Sequence, residues 1–320
     1  QKKGDQSLQQ IIYIVFDASA SMRAGLDGRS IRKGKRSRFV ISKAFLKHLL
    51  KRFSDFRIRA ALGLVVFGEE IVDSSPLSIS QRNFVDALNA IQAMGSTMWY
   101  DAVSHAADLL IQFNKAPNGN LIYPDAQHRI ILISDADDTE IRGPQIEQVL
   151  CDLASKLTNN NILLDQIMLN HIQDCTRAMA VSKITGGLCF RPPDEETGIE
   201  LFETEAFIDI TARSMDGIIE DVTPEIFISL SNKIAGDPNK YTSVDTITRS
   251  NIYLKQKDMD TTIGDSKTMA TYFSMPEHQL NTIREIRILD ELIRAAKNTT
   301  DSLKVYASPN NISQWRVFIL

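Results

Sequence analysis

The chain has little of what marks several common protein classes. Its three cysteines, Cys151, Cys175 and Cys189, are an odd number with no Cys-x-x-Cys pair among them, which argues against a disulfide framework and against a zinc site. A reducing, intracellular compartment is the expectation. No apolar run approaches the roughly 18–20 residues that a membrane-spanning helix needs, and the first such run, 11–16, is too short for the core of a signal peptide. The five histidines, His48, His105, His128, His171 and His278, are scattered without a His-Glu-x-x-His pattern. Neither a Gly-x-Ser-x-Gly elbow nor a phosphate-cradling glycine loop occurs. No catalytic residue is identified, and each cysteine reads as a small buried apolar residue rather than a nucleophile.

What is present is enough apolar material for one large domain and a smaller unit, with 43% hydrophobic residues in 320. The chain begins at Gln1 rather than methionine and stops at Ile319-Leu320 inside an apolar run, which reads as a fragment at both ends. The net charge of −4 hides an asymmetry. Between Arg23 and Arg59 lie thirteen Lys/Arg and two acids, Asp27 and Asp55, a local +11 that leaves −15 for the remainder. Such a block can attract acidic protein surfaces, nucleic acid or anionic lipid. Its plainer reading is a basic loop followed by a helix with a solvated Lys/Arg face, and nucleic acid is not the favoured partner.

Short β-rich apolar runs at 11–16, 58–67, 129–134, 162–168 and 187–190 alternate with helical patterns at 38–53, 82–91, 99–113, 144–157 and 175–185. That rhythm predicts an α/β fold, a doubly wound and mostly parallel sheet flanked by helices. A closing helix is expected at 198–213. Residues 213–278 show no convincing period and read as a linker or an unresolved region. The pattern returns as a helix over 279–296, with Ile283, Ile286, Leu289, Ile293 and Ala296 on one face, and as two strands at 303–307 and 315–320 around a Pro309-Asn310-Asn311 turn.

In an open sheet of this kind ligands bind beyond the carboxyl ends of the strands. The strand 11–16 runs directly into Asp17-Ala18-Ser19-Ala20-Ser21, where spacing by two lets alternate side chains point one way along an extended stretch. Thr97, just before the helix at 99, and Asp135, at the end of the strand 129–134, stand at the same edge. Asp17, Ser19, Ser21, Thr97 and Asp135 form an all-oxygen set, suited to a hard divalent cation such as Mg2+, with Mn2+ and Ca2+ as alternatives. By itself an Asp-x-Ser-x-Ser run is equally read as a helix cap or an Asx-turn.

The stretches "IVFDASASM", "GSTMWYDAV" and "ILISDADDTE" resemble, in order, the three parts of the metal-ion-dependent adhesion site of the von Willebrand factor A family. The resemblance covers about 8–212 and departs at Ala136, where the family often has glycine. It implies a Rossmann-like α/β domain in which Ser19 and Ser21 hold the ion directly. Thr97 would bind directly or through water, and Asp17 and Asp135 mostly through water. It further implies a protein partner that supplies an Asp or Glu carboxylate to the ion. Independently of the resemblance, the basic loop 23–38 that follows the site is expected to steer an acidic partner there.

Residues 281–320, "NTIREIRILDELIRAAKNTTDSLKVYASPNNISQWRVFIL", resemble the opening of a ubiquitin-conjugating domain: an amphipathic helix, a strand, then a second strand around Trp315. The competing reading is an unrelated amphipathic helix packed against the main domain. In that family the active-site cysteine lies well beyond the second strand, so none of Cys151, Cys175 and Cys189 can inherit its role. The expected organisation is therefore an adhesion-type module at 8–212, a linker at 213–278 and the start of a ubiquitin-conjugating-like unit at 279–320. The function expected is metal-dependent holding of an acidic partner for ubiquitin machinery. Two alternatives stand beside it: an accessory domain of a ubiquitin-transferring enzyme whose catalytic part lies outside this chain, and a scaffold whose metal site stays empty.

Overall fold

The computed structural model describes residues 8–242 except 32–33, 56–57, 94, 136–144, 171–174, 203, 209, 211–217 and 220, together with the backbone of 303–308 and 311–319. The chain divides into two compact units, one of 1–53 with 59–248 and one of 54–58 with 249–320.

The first unit is built on a six-stranded sheet of order β3-β2-β1-β4-β5-β6. Its strands are β1 (Gln10–Asp17), β2 (Ala60–Phe67), β3 (Ile71–Ser78), β4 (Gln127–Ser134), β5 (Ile162–Met168) and β6 (Cys189–Phe190). All neighbours pair in parallel except β2 and β3. Every residue of β1 and β5 is buried, as strands covered on both faces require, and this accounts for the apolar run over 11–16; within β5, Asp165 and Gln166 are buried polar residues. The helices are α1 (Arg38–Asp55), α2 (Gln81–Ala90), α3 (Trp99–Phe113), α4 (Ile146–Asn159), α5 (Thr176–Ile184), α6 (Glu195–Leu201), α7 (Glu205–Ile208) and α8 (Pro224–Ala235). The doubly wound α/β architecture expected from the alternation is the one observed.

Three elements depart from expectation. The edge strand β3, IVDSSPLS, was not foreseen because its half-exposed residues include Asp73 and Pro76. An edge strand needs hydrogen bonds on one side only and so tolerates proline. The helix expected over 198–213 is instead two short ones. It begins earlier because the Asp194 carboxylate accepts from the Thr197 N–H at 2.8 Å and caps α6. Within the stretch read as linker, α8 starts behind a Thr223 cap with Pro224 in its first turn. It buries Phe227 and Ile234 and packs on α4 and α5.

A buried ion pair ties α7 to the sheet. The Arg129 Nε donates to Asp165 Oδ2 at 2.8 Å and its Nη1 to the Phe207 carbonyl at 2.6 Å. The other Asp165 oxygen accepts from the Leu188 N–H at 2.9 Å. Both side chains are fully buried, so each satisfies a charge that would otherwise be stranded away from water.

In the second unit, β7 (Leu303–Ser308) and β8 (Asn311–Ile319) form an antiparallel hairpin with Val305 opposite Val317 and Ala307 opposite Trp315. β8 starts four residues before the expected strand. The helix expected over 279–296 and the turn at 309–310 lie outside the described residues, as do Pro144, Ala136, His171 and His278.

Candidate functional site

Strand order reverses between β1 and β4: the chain leaves β1 towards β2 on one side, while β4 leads to β5 on the other. At such a switch point the carboxyl ends of two adjacent strands splay their loops apart and leave a crevice. Asp17 ends β1, Ser134 ends β4 and Asp135 follows it.

The first loop is held by its backbone. The Ala18 N–H donates to the Phe67 carbonyl at 2.7 Å, continuing the ladder past Asp17. Ser19 stays extended, and a single 3₁₀ turn over Ala20–Arg23 follows, pinned by fully buried Met22. The loop before α3 is stitched to the same place, because the Ala20 N–H donates to the Gly95 carbonyl at 3.1 Å and the Ser96 N–H to the Gly68 carbonyl at 3.1 Å. Gly95 has φ +90°, and a Cβ there would stand 2.0 Å from the Glu69 nitrogen. Only glycine lets this loop lie against the β2–β3 connection, and that contact brings buried Thr97 to the edge where β1 ends.

Side chains complete the arrangement. Asp17 Oδ1 accepts from the Ser19 N–H at 2.7 Å, and Asp17 Oδ2 accepts from the Ser134 hydroxyl at 2.6 Å. The Ser19 and Ser21 hydroxyls lie 2.9 Å apart, and the Ser21 hydroxyl donates to Asp135 Oδ1 at 2.9 Å. Asp135 Oδ2 accepts from Arg38 Nη1 in the first turn of α1. Asp17, Ser19, Ser21 and Asp135 thus form one hydrogen-bonded cluster, and the loop of Thr97 adjoins it through Ala20. Sequence reasoning had not singled out Ser134 or Arg38. Arg38 had been one of thirteen basic residues, and Ser134 stood unremarked beside Asp135.

The electrostatics are unusual for an interior. Asp17 and Asp135 are both 0% exposed. Burial, and then the Asp135 carboxylate, push the Asp17 carboxyl up to about 6, against which its bonds from Ser134 and Ser19 pull down. Arg38 is the cation paired with Asp135. Among the described residues there is no group of three or more His, Cys, Asp or Glu side chains that could hold a metal. The donors here are two carboxylates and hydroxyls, a set that suits a hard, oxygen-seeking ion and not a thiolate- or imidazole-seeking one. An open cleft of about 740 Å³ adjoins the cluster, bounded by Ala18, Phe67 and Gly68 on one side and Ala87 and Ile91 on the other.

The cysteines are placed against reactivity. All three are free and buried; burial pushes the Cys151 thiol up, and the Cys189 thiol well up, so little thiolate forms at neutral pH.

Residues 12–137, which span all five candidate residues, match the family described as von Willebrand factor type A domain. Among curated proteins, a probable bifunctional E2/E3 enzyme of Acanthamoeba polyphaga mimivirus is 21% identical over 284 residues, covering 88% of this chain and 19% of that protein. The chain therefore spans about a fifth of the length of that relative. Similar solved structures include the SpRpn10 VWA domain, at 16% identity over 72% of this chain and 96% of that one with a TM-score of 0.40. Others are a von Willebrand factor type A protein from Catenulispora acidiphila, at 18% over 65% and 43% with 0.47, and the PilB minor pilin from Streptococcus sanguinis, at 15% over 62% and 60% with 0.49. Residues 12–137 are thus similar to a von Willebrand factor type A domain, and the mostly parallel six-stranded sheet flanked by helices is Rossmann-like. No helix among the described residues is long and apolar enough to cross a membrane.

Proposed function

We propose that the first unit binds a protein partner through a divalent cation, Mg2+ by the character of its donors, held by Asp17, Ser19, Ser21, Thr97 and Asp135. The observation that carries this reading is the convergence of two fully buried carboxylates on a chain of serine hydroxyls, facing a single guanidinium. Burying two such charges together costs several kcal/mol unless cations offset them, and a 2+ ion does so. Bound there, the ion would act as a Lewis-acidic anchor for an acidic side chain. The residues of this chain would orient it: Ser19 and Ser21 as direct donors, Thr97 directly or through water, Asp17 and Asp135 mostly through water. The open cleft beside Ala18 would seat what flanks the partner's Asp or Glu. Free, buried cysteines fit an intracellular setting.

The test is calorimetric titration of Mg2+ into the wild type and into Asp17→Asn, which keeps the shape and removes one charge. One ion per wild-type chain and none in the variant is the expected result. Equal heats in both would sink the ion reading, leaving the domain as a scaffold.

A further reading concerns the whole protein. The similarity to a probable bifunctional E2/E3 enzyme, together with the likeness of 281–320 to the opening of a ubiquitin-conjugating domain, supports a module that recruits a partner to ubiquitin transfer. On that reading the catalytic cysteine belongs to sequence other than the three buried ones here.

A further inference from the structure

Arg38 sits where a cation is electrostatically unwelcome. It opens α1, and the N-terminus of a helix carries the positive end of the macrodipole. Its side chain is only 4% exposed, and its Nε and Nη2 have no hydrogen-bond partner among the described residues. The side-chain bond it does make goes from Nη1 to Asp135 Oδ2, while Asp135 Oδ1 is taken by the Ser21 hydroxyl. Both oxygens of Asp135 therefore accept from side chains of this chain.

The two engagements are not alike. A serine hydroxyl is donor and acceptor, so Ser21 can rotate its proton away and present a lone pair to an incoming ion. A guanidinium has no lone pair to offer and cannot lose its charge at any ordinary pH. An ion that uses Asp135 Oδ2, directly or through water, drives the guanidinium to withdraw by charge repulsion. Two like charges would otherwise share one carboxylate in a poorly solvated place.

Resting on the ion-binding reading above, we propose that Arg38 is a built-in competitor of the divalent ion: it holds Asp135 while the site is empty and must be displaced for the ion to enter. The pair keeps the buried carboxylate compensated when no ion is present and sets the ion concentration at which the site fills.

The full chain tests this through Arg38→Met, which preserves length and removes charge. Mg2+ affinity is measured by calorimetry, beside circular dichroism and thermal unfolding in EDTA. The variant is expected to bind Mg2+ at least about tenfold more tightly, the equivalent of one intramolecular ion pair no longer opposing entry, while its melting temperature in EDTA falls because Asp135 is left unpaired. Unchanged or weaker binding by the folded variant would overturn the competition while leaving the ion site standing. Absence of binding in both proteins would overturn both. Should Arg38→Met fail to fold, the Nε–Hε resonance of Arg38 in the wild type, assigned through Arg38→Lys, reports directly. It is expected to shift or broaden as Mg2+ saturates the chain, and a resonance unmoved across a saturating titration would overturn the proposal.

Discussion

Two buried carboxylates joined by a relay of serine hydroxyls set the character of the site, and each residue in the relay has a separable job. Asp17 takes a backbone N–H and the Ser134 hydroxyl, which fix its plane, while Ser21 bridges to Asp135 across 114 residues of sequence. Gly95 contributes through what it lacks. Gly95→Ala forces a side chain into left-handed backbone against Glu69 and is expected to cost on the order of 1–3 kcal/mol, with weakened Mg2+ binding. Urea unfolding beside calorimetry checks this, and a variant of wild-type stability would mean the loop does not need the close approach. That Asp17, Ser19, Ser21 and Asp135 meet at one sheet edge was legible in the sequence, because the loops that carry them follow the ends of two buried strands. Arg38 and Ser134 were not: a basic residue inside a basic block carries no local mark. The only hint was position, since an arginine in the first turn of a helix opposes the dipole and so calls for a partner.

Among the elements, the long buried strands and most helices announced themselves. β1 and β5 are buried throughout because both faces are covered, and most of their residues are apolar, while α3 and α4 carry a clear apolar stripe. What stayed hidden did so for physical reasons. β3 is an edge strand whose pattern is interrupted by Asp73 and Pro76, and α8 commits only Phe227 and Ile234 to full burial while Ile226 and Ile228 remain exposed. A helix with two buried anchors produces no readable period. Those anchors still matter. Phe227 is completely buried, so Phe227→Ala is expected to destabilise the first unit by about 3–5 kcal/mol. A loss below about 1 kcal/mol in denaturant unfolding would mean α8 is an appendage rather than part of the core.

At the scale of the first unit, the buried carboxylate and serine cluster lies next in sequence to a basic segment. Arg29, Lys35 and Arg36 are exposed on the segment that follows the site loop, with Arg36 paired to Glu195 at 2.8 Å; on the proposed reading they would offer an acidic partner long-range attraction. Incubated with ubiquitin, its activating enzyme and ATP, the chain is expected to form no reductant-sensitive ubiquitin adduct, because each thiol is buried; an adduct lost on mutating one of the three cysteines would reverse that assignment.

The most direct test of the central claim is thermal unfolding of the wild type and Asp17→Asn, each in EDTA and then in millimolar Mg2+. Removing one of two crowded buried charges should leave the variant as stable in EDTA as the wild type, or more so. Mg2+ should raise the melting temperature of the wild type alone, reversibly on chelation. The same rise in both proteins, or none in either, would contradict an ion held between Asp17 and Asp135.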